Sequence, residues 1–421
     1  MTEVVHKTQE KLQKNFLFKK QLGQGAFGAV FEVQPIRDRS DRHNRFASFK
    51  RSKNETYALK IILQEEIAGQ TQFGVTLTDS DYEIAMMKKV AGPDAEQHPN
   101  IVNLVCYLTK DTLFPGSPNL LFLDYCPYGE LYDILARPEI QSRTRKKEYV
   151  HQILSGLNFM HSKNIIHRDL KPQNIFVVNY SHIRIGDFGL SEKADKFGFV
   201  YGGSGTPFYY SSEMLAQIRD KHNGFVSTIK INKKYDVWAV GHICYNLLTG
   251  CEPFLNTKMQ LNGHEGLDIE NRPEAKENRL SRRAMRFVNN LLHKDPEERF
   301  DCDQALAASW LKHQTDLDEV DEGSNQLAKK MNEMNAKRKL SRMVEFAMTF
   351  ARIKSFQQFA SEKNAEGDTI RTVNTVRKRM RKPMNKKEFV ISNRVLEAEK
   401  EIESNVSLKT VSERLNKFVF N

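Results

Sequence analysis

The chain has 421 residues, of which 39% are hydrophobic and 28% charged, and its formal net charge is +11. This length accommodates one large folded unit with an extension, and the balance of residue types excludes wholesale disorder. No stretch reaches the roughly 18 consecutive apolar residues of a spanning helix, and the scattered cysteines form no Cys-x-x-Cys pair. We therefore expect no transmembrane segment, zinc site or disulfide framework, and an intracellular protein, located in the cytoplasm with the nucleus as an alternative.

The first third of the chain has the pattern of a small, mainly β lobe. Apolar residues alternate on both sides of a glycine-rich turn from about Phe16 to Pro35, which predicts a hairpin. Residues 36–55 are polar and basic and are expected to form an inserted loop, after which TYALKIIL predicts a buried strand. A helix is predicted from about Ser80 to Val90, followed by strands at IVNLVCYL and NLLFLDYC.

Beyond Glu130 the periodicity becomes helical. Apolar residues recur at three- and four-residue spacing in ELYDILA, RKKEYVHQILSGLNFMHSK, DVWAVGHICYNLLTG and SRRAMRFVNNLLHK. A larger helical lobe is therefore expected to end near Trp310 and Leu311, before the acidic linker DLDEVDEGSNQ. The predicted fold class is α+β, with two lobes and a helical or partly disordered tail. The expected divisions are an extension (1–15), a domain (16–311, with its lobes meeting near 126–127) and a tail (312–421).

The hairpin turn carries the pattern G-x-G-x-x-G-x-V from Gly23 to Val30. Glycines let backbone amides approach phosphate oxygens closely. The pattern also fits a dinucleotide-binding turn, but such a turn opens a helix. Because the strand-like AVFEV follows here, the sequence favours a phosphate-covering hairpin over a dinucleotide site.

Lys60 is the only cation inside a strongly apolar strand pattern. A buried ammonium needs an anionic partner, which phosphate oxygens and a carboxylate would supply. Glu83, on the predicted helix, is the candidate carboxylate. One alternative stays open, because Ser80 to Glu83 is also a capping-box pattern in which Glu83 would only satisfy the helix end.

The segment IIHRDLKPQNIFVV places His167, Arg168, Asp169, Lys171 and Asn174 at the spacing H-R-D-x-x-x-x-N. Asp169 would accept or orient the proton of a substrate hydroxyl, and Lys171 would neutralise charge on a transferred phosphoryl group. Asn174 would offer an amide oxygen to a metal ion. Any one of these residues alone would more often be a turn residue, but their occurrence together in this order favours a catalytic role.

Further along, IGDFGL supplies a second acid at Asp187. Its carboxylate can bind Mg²⁺ that bridges phosphates, with Phe188 packing to set its orientation. Asn174 and Asp187 are therefore the predicted metal ligands.

Taken in order, the glycine-rich turn, strand lysine, helical glutamate, HRDLKPQN and DFG resemble a complete eukaryotic protein kinase domain from about Phe16 to Leu311. The resemblance implies that ATP binds with Mg²⁺ between the lobes and that protein substrates are phosphorylated. Lys171 and the tripeptide Gly205-Thr206-Pro207 resemble the serine/threonine branch of the family. In that branch Thr206 would contact Asp169 and Lys171. The implied nucleotide contacts are Leu22, Gly23, Gln24, Gly25, Ala26, Phe27, Gly28, Val30, Ala58, Lys60 and Phe176, with a gate and hinge at Leu123, Asp124, Tyr125 and Cys126.

The resemblance also implies two structural supports. Asp236 in DVWAVG would brace the catalytic loop, and Arg299 would pair with Glu213. The usual Ala-Pro-Glu before this pair is Ser211-Ser212-Glu213 here, which keeps the carboxylate but loses the rigidity of proline.

Regulation and substrate choice stay open in the sequence. In many such kinases the arginine at the position of Arg168 binds a phosphorylated activation loop. Here Gly202 occupies the usual acceptor position, so the alternatives are phosphorylation of Tyr201 or Ser204, or assembly without phosphorylation. DYCPYGELYDIL and GTPFYYSSEML most resemble the calcium/calmodulin-dependent group. Glu130 would then attract a basic substrate residue or simply lie on a solvated face, and Gln173 removes a second acidic contact.

The tail carries much of the excess positive charge. Lys337 to Phe359 combines a basic start with a helical apolar face and 1-5-10 spacing at Val344, Met348 and Ile353. Calmodulin binding, packing or autoinhibition on the large lobe, and a membrane-surface role are the alternatives. Residues 371–390 are strongly basic with one aromatic, which favours a localisation signal or nonspecific anion contact over specific nucleic-acid binding.

Two rival functions remain. A catalytically silent scaffold usually lacks one of the chemical residues, and none is missing here. The second is a binding protein in which the tail supplies the function and the kinase domain regulates it.

Overall fold

The computed structural model describes residues 2–25, 28–36, 55–63, 80–135, 137, 139, 141–222, 228–254, 257–263, 267 and 269–312. The chain divides into units 1–331 and 332–421, and all of these residues lie in the first. The predictions for the tail and for most of the loop at 36–55 lie outside the described residues, as do those for Ala26 and Phe27.

Helices and strands follow the predicted order, β-rich first and helical later. Among the described residues the helices are α1 (Thr2–Leu12), α2 (Ser80–Ala91), α3 (Leu131–Ile134), α4 (Arg143–Ser162), α5 (Ser212–His222), α6 (Lys234–Thr249), α7 (Thr257–Asn262), α8 (Pro273–Glu277), α9 (Arg282–Leu291), α10 (Cys302–Ala307) and α11 (Ser309–Lys312). The strands are β1 (Phe16–Gly25), β2 (Gly28–Pro35), β3 (Tyr57–Ile62), β4 (Leu104–Leu108), β5 (Asn119–Asp124), β6 (Ile165–Ile166), β7 (Ile175–Asn179), β8 (His182–Ile185), β9 (Glu192–Lys193), β10 (Phe199–Tyr201) and β11 (Lys230–Asn232). Short 3₁₀ helices span Pro172–Asn174 and Pro207–Tyr209.

The small lobe is built on a five-stranded antiparallel sheet with the order β1-β2-β3-β5-β4. The predicted hairpin and strands are therefore confirmed. AVFEV lies in strand β2, so the dinucleotide alternative, which required a helix there, is wrong.

The register of the sheet separates its two faces. Lys60 pairs with Val30 on one side and with Leu121 on the other, while Ala58 pairs with Leu123. Directly opposed residues point to the same face, and successive residues point to opposite faces. Ala58 and Lys60 therefore share one face with Val30 and Leu123. The other face carries a buried apolar cluster that includes Phe31, Val33, Leu59, Ile61, Leu120 and Phe122.

Residues 1–15 were expected to be an N-terminal extension, for which no helix was predicted, and helix α1 packs on this apolar face. Leu12 is fully buried with Phe16, whose ring centroid lies 4.9 Å from that of Phe122. Thr8 is also buried, and its hydroxyl donates to the carbonyl of Val4 at 2.7 Å. Val5, Thr8 and Leu12 stand at helical spacing, which was the available signal.

The larger lobe is organised around helix α6. Almost every residue of α6 is buried, and its Gly241 lies so close to α9 that a Cβ there would stand 2.8 Å from atoms of Leu292. Only glycine permits this approach. The predicted helical segments correspond to α3, α4, α6 and α9, although α3 is shorter than ELYDILA.

Within the ranges given above, no helix has both the length and the apolar character needed to cross a membrane.

Replacing Leu12 by alanine is expected to lower the free energy of unfolding by about 2–5 kcal/mol, because a cavity would open in the core of the small lobe. Chemical denaturation of the purified chain measures the change. Leu17→Ala, in β1, is the matched control, because its side chain is 53% exposed and its loss should cost about 0.5 kcal/mol or less. Equal losses for the two variants would contradict a core position for α1.

Candidate active site

Lys60 lies between two carboxylates. Its Nζ is 2.6 Å from Oε1 of Glu83, on α2, and 3.2 Å from Oδ1 of Asp187, which follows β8. Glu83 therefore contacts Lys60, as expected for the carboxylate partner of a buried lysine. One ammonium joins the sheet, the helix and the segment that begins with DFG.

The charges of this group reinforce one another. Burial opposes the charge of Lys60, but Asp187 and Glu83 outweigh that cost and raise its pKa above the usual value. Lys60 in turn holds the pKa of Asp187 below its usual value, with smaller contributions from Lys171 and His167. Lys60 and Asp187 are therefore both charged at neutral pH.

A second cluster forms around the carboxylate of Asp169. Thr206 donates from Oγ1 to Oδ1 of Asp169 at 2.7 Å, and Lys171 Nζ lies 2.6 Å from Oδ2 and 2.8 Å from the Thr206 hydroxyl. Asn174 donates through Nδ2 to the backbone carbonyl of Asp169 at 2.7 Å and to Oδ2 at 3.2 Å. The aspartate is thus fixed in one orientation by three neighbours.

The backbone connects the two clusters. The amide of Gly186 donates to the carbonyl of Asn174 at 2.9 Å, and His167 Nε2 lies 3.1 Å from the carbonyl of Gly186. Asp187 itself adopts φ = 61°, a conformation uncommon for residues other than glycine. The fully buried ring of Phe188 packs at a tilt against His167, with 5.6 Å between ring centroids, and so anchors the segment that carries Asp187.

Asp236, at the start of α6, anchors the catalytic loop, which is the segment that carries His167, Arg168 and Asp169. Its carboxylate accepts the backbone amides of His167 at 2.8 Å and Arg168 at 2.9 Å, and it contacts Nε2 of His161 at 2.8 Å. Burial alone would raise the pKa of Asp236, but the His161 contact and nearby His167 lower it. Sequence reasoning identified Asp236 but missed His161, which lies on α4 without any distinguishing local pattern.

Glu213 and Arg299 form the second support. Nη1 and Nη2 of Arg299 lie 2.9 Å and 2.6 Å from the two oxygens of the carboxylate, a bidentate pair in which the arginine is fully buried. Burial would raise the pKa of Glu213, but Arg299 holds it below its usual value. The pair forms although Ser212 replaces the usual proline, and the Ser212 hydroxyl donates to the carbonyl of Lys294 at 2.7 Å.

Several of the residues expected around a nucleotide lie on the face of the sheet that carries Lys60 or at the end of β1. Val30, Ala58 and Leu123 share that face, and Leu22, Gly23, Gln24 and Gly25 lie at the end of β1. Gly28 has φ = 149°, and a Cβ there would stand 1.9 Å from the carbonyl oxygen of Ile61. Glycine is therefore required at this position by the close approach of β2 to β3.

The hinge side chains are occupied by structural contacts. Asp124 accepts the amide of Asn103 at 3.1 Å and forms an ion pair with Arg184, and the hydroxyl of Tyr125 donates to Glu32 at 2.9 Å. Cys126 is half-buried, and burial raises the pKa of its thiol to about 12. The side chains of Asp124 and Tyr125 are therefore held by contacts within the protein.

Phe176 lies on β7 in the larger lobe, where its backbone bridges to Glu130. A Cβ on Gly186 would stand 2.9 Å from the ring of Phe176, so the segment before Asp187 packs directly against that ring. Glu130, the expected substrate contact, is half-buried in this bridge.

The donor set fits a magnesium ion. Asn174 directs its amide nitrogen to Asp169, which leaves Oδ1 as its metal-binding atom. The Asp187 side chain is 45% exposed, so its carboxylate is accessible to a metal ion. Mg²⁺ prefers oxygen ligands, and proteins often hold it with one or two side chains plus substrate phosphates.

Comparison with known proteins agrees with this geometry. A family described as "Protein kinase domain" matches residues 16–311, so the chain belongs to the protein kinase family. It is 29% identical over 310 residues to "Calcium/calmodulin-dependent protein kinase type 1" of Macrobrachium nipponense, covering 71% of this chain and 76% of that protein. It is 32% identical over 267 residues to "Calcium and calcium/calmodulin-dependent serine/threonine-protein kinase" of Pisum sativum, covering 61% of this chain and 46% of that protein.

The matches confirm the resemblance that the sequence motifs carried. The chain is similar to serine/threonine kinases of the calcium/calmodulin-dependent group, and the two-lobed fold is the one that the family implies.

Replacing Asp236 by asparagine is expected to lower kcat for phosphoryl transfer by about 100-fold, because an amide cannot accept both backbone N–H groups and the catalytic loop would shift. Steady-state kinetics with a peptide acceptor measures the change. The KM for ATP should stay within about twofold, since α6 does not reach the sheet of the small lobe. Asp94→Asn, at an exposed position, is the control, and an equal kcat for both variants would contradict this role.

Proposed function

We propose that this protein kinase transfers the γ-phosphate of ATP, bound as its magnesium complex, to serine or threonine hydroxyls of protein substrates. The observation that supports it most strongly is the pair of clusters joined through Asn174 and Gly186. One centres on the Lys60 ammonium and the other on the Asp169 carboxylate. Together they provide a cation for phosphates, oxygen ligands for a metal, and a base for an alcohol.

The nucleotide would lie against the face of the sheet that carries Lys60. Val30 and Ala58 would contact the adenine from above, and Phe176 from below. The hairpin that contains Gly23 and Gly28 would cover the phosphates through backbone amides. Glu83 would hold Lys60 at the position from which its ammonium binds phosphate oxygens.

Asn174 and Asp187 would hold the metal ion. When bound, Mg²⁺ neutralises charge on the phosphates and orients the group that is transferred. Asp187 stays ionised for this purpose because Lys60 holds its pKa below the usual value.

Asp169 would orient the acceptor hydroxyl and take its proton. Its contacts with Thr206 and Lys171 fix the carboxylate in one orientation, which leaves it poised for an incoming alcohol. Lys171 would balance negative charge that develops on the transferred group. The contact of Thr206 with both residues supports serine and threonine as acceptors.

We also propose the domain division expected from the sequence, with a kinase domain at 16–311 whose lobes meet near residue 126. Helix α1 adds residues 2–12 to the small lobe of that domain. The cytoplasmic location and the absence of specific nucleic-acid binding stay predictions from the sequence.

Replacing Asp169 by asparagine should lower kcat by about 10²- to 10⁴-fold, because the amide keeps the shape but cannot accept a proton. Transfer of radiolabelled γ-phosphate to peptides that differ only in serine, threonine or tyrosine measures activity and acceptor choice together. Mg-ATP affinity should change little in this variant, and Asp94→Asn is the matched control.

A catalytically silent scaffold predicts a different result. In that case neither the natural chain nor the control would label any peptide. Labelling of tyrosine alone would contradict the serine/threonine assignment but leave the kinase activity standing.

The second part of the proposal concerns the tail. The names of both relatives include calmodulin, and Lys337 to Phe359 has the spacing that a Met-lined groove accepts. We propose that the tail regulates the kinase domain, through calmodulin or through direct packing on the large lobe.

Comparison of the full chain with a version that ends at Leu311, each with and without calcium-calmodulin, tests the tail. An autoinhibitory tail predicts several-fold higher kcat after truncation, and calmodulin binding predicts the same rise in the full chain only. Equal rates in all four conditions would exclude regulation by the tail and favour a separate binding role for it.

A further inference from the structure

Arg168 is buried beside the catalytic aspartate and already has a carboxylate partner from its own chain. Its Nη1 forms an ion pair with Oε2 of Glu192, and its Nη2 lies 3.3 Å from the carbonyl oxygen of Gly202. Sequence reasoning identified Arg168 as the residue that would bind a phosphorylated loop. It gave no role to Glu192, which stands 24 positions later.

The backbone holds both members of this pair in place. Arg168 adopts φ = 70° and donates its backbone amide to Asp236 at 2.9 Å. Glu192 lies in β9, where it pairs with Ile166 of β6, two residues before Arg168. The carboxylate therefore comes from strand β9, near the start of the activation segment, which runs from Asp187 to Glu213.

The position where a phosphate would be expected is structurally occupied. Gly202 has no side chain, its φ is 91°, and its amide donates to the carbonyl of Ile229 at 2.8 Å. The preceding residues form the ladder between β10 and β11. The segment is thus ordered by backbone hydrogen bonds at the place where phosphorylation would otherwise order it.

Neither alternative acceptor nearby reaches Arg168. Ser204 is buried at 3% exposure, so its hydroxyl is not open to a second kinase. Tyr201 is exposed, and its hydroxyl donates to Asp195 at 2.8 Å. Of the two candidate acceptors, Ser204 is therefore buried, and the Tyr201 hydroxyl is bonded to Asp195 rather than to Arg168.

The same pair also acts electrostatically on the helix that carries Glu83. Burial and the neighbouring Glu192 carboxylate raise the pKa of Tyr82, one residue before Glu83 on α2. Arg168 acts on the same hydroxyl in the opposite direction. The pair therefore lies where the catalytic loop, the activation segment and α2 converge.

We propose that Glu192 is a positioning residue that supplies, from within the chain, the negative charge that Arg168 needs, so that the catalytic arrangement forms without phosphorylation of the activation segment. This inference rests on the proposed kinase function. A phosphate carries about −1.5 to −2 charges and orders a loop by pairing with arginine. Here Glu192 already neutralises Arg168, and a phosphate added beside it would meet like charge.

The first test uses the full chain in two states. Protein made in bacteria is treated with a phosphatase, shown to be free of phosphate by intact-mass spectrometry, and assayed for the initial rate of peptide phosphorylation. We expect its kcat to lie within about twofold of that of the same protein after prolonged incubation with Mg-ATP. A phosphate-free chain that is inactive until phosphate is added would overturn the proposal.

The second test replaces Glu192 by glutamine and uses Glu96→Gln, at an exposed position, as the matched control. We expect kcat to fall by about 10- to 100-fold in Glu192→Gln because Arg168 and the segment lose their alignment with Asp169. The KM for ATP and the affinity for Mg-ATP should stay within about twofold, since Lys60 and Glu83 are untouched. Trypsin should also cut faster at the exposed Lys193 and Lys196.

The outcomes separate this inference from the proposed function. If Glu192→Gln has the kcat of the control while the natural chain is an active kinase, Glu192 has no positioning role and only this inference fails. If neither the phosphate-free nor the phosphorylated chain binds Mg-ATP or labels any peptide, the kinase function itself fails. Should Glu192→Gln not fold, the comparison of the two phosphorylation states still decides.

Discussion

An ammonium group cannot remain charged inside an apolar sheet without nearby anions, and the small lobe is arranged around this constraint. Lys60 meets it with two carboxylates from distant parts of the chain, Glu83 at 2.6 Å and Asp187 at 3.2 Å. The three charges therefore fix helix α2 against strand β3 and direct the segment after β8 into the cleft. A change in any one of them alters the position of the other two.

The larger lobe satisfies a complementary constraint, because its catalytic loop has backbone amides that must be paired when buried. Asp236 accepts two of them and is itself held by His161, so the backbone of the loop at His167 and Arg168 is anchored to helix α6. The contact between Arg168 and Glu192 then extends the same order into the activation segment. One continuous set of polar contacts therefore joins His161, Asp236, Arg168 and Glu192.

Much of the fold followed from periodicity. The strands of the small lobe alternate with a period of two, and helices α4, α6 and α9 carry apolar residues at helical spacing, so both were predicted. Helix α1 was missed, because Val4, Val5 and Leu12 are its only apolar residues and polar residues fill the rest. Its burial depends on the apolar face of the sheet, which no local pattern in residues 1–15 reveals.

The sequence by itself determined the chemistry of single segments, since Asp169, Lys171 and Asn174 are kept near one another by a few covalent bonds. It also determined that a buried lysine needed an acid, although the capping pattern left the choice of Glu83 open. Only the tertiary structure decided the partners that are far apart along the chain, such as Asp236 with His161 and Arg168 with Glu192. The reason is physical: spacing within a motif is set by the backbone, whereas the distance between remote residues is set by how strands and helices pack.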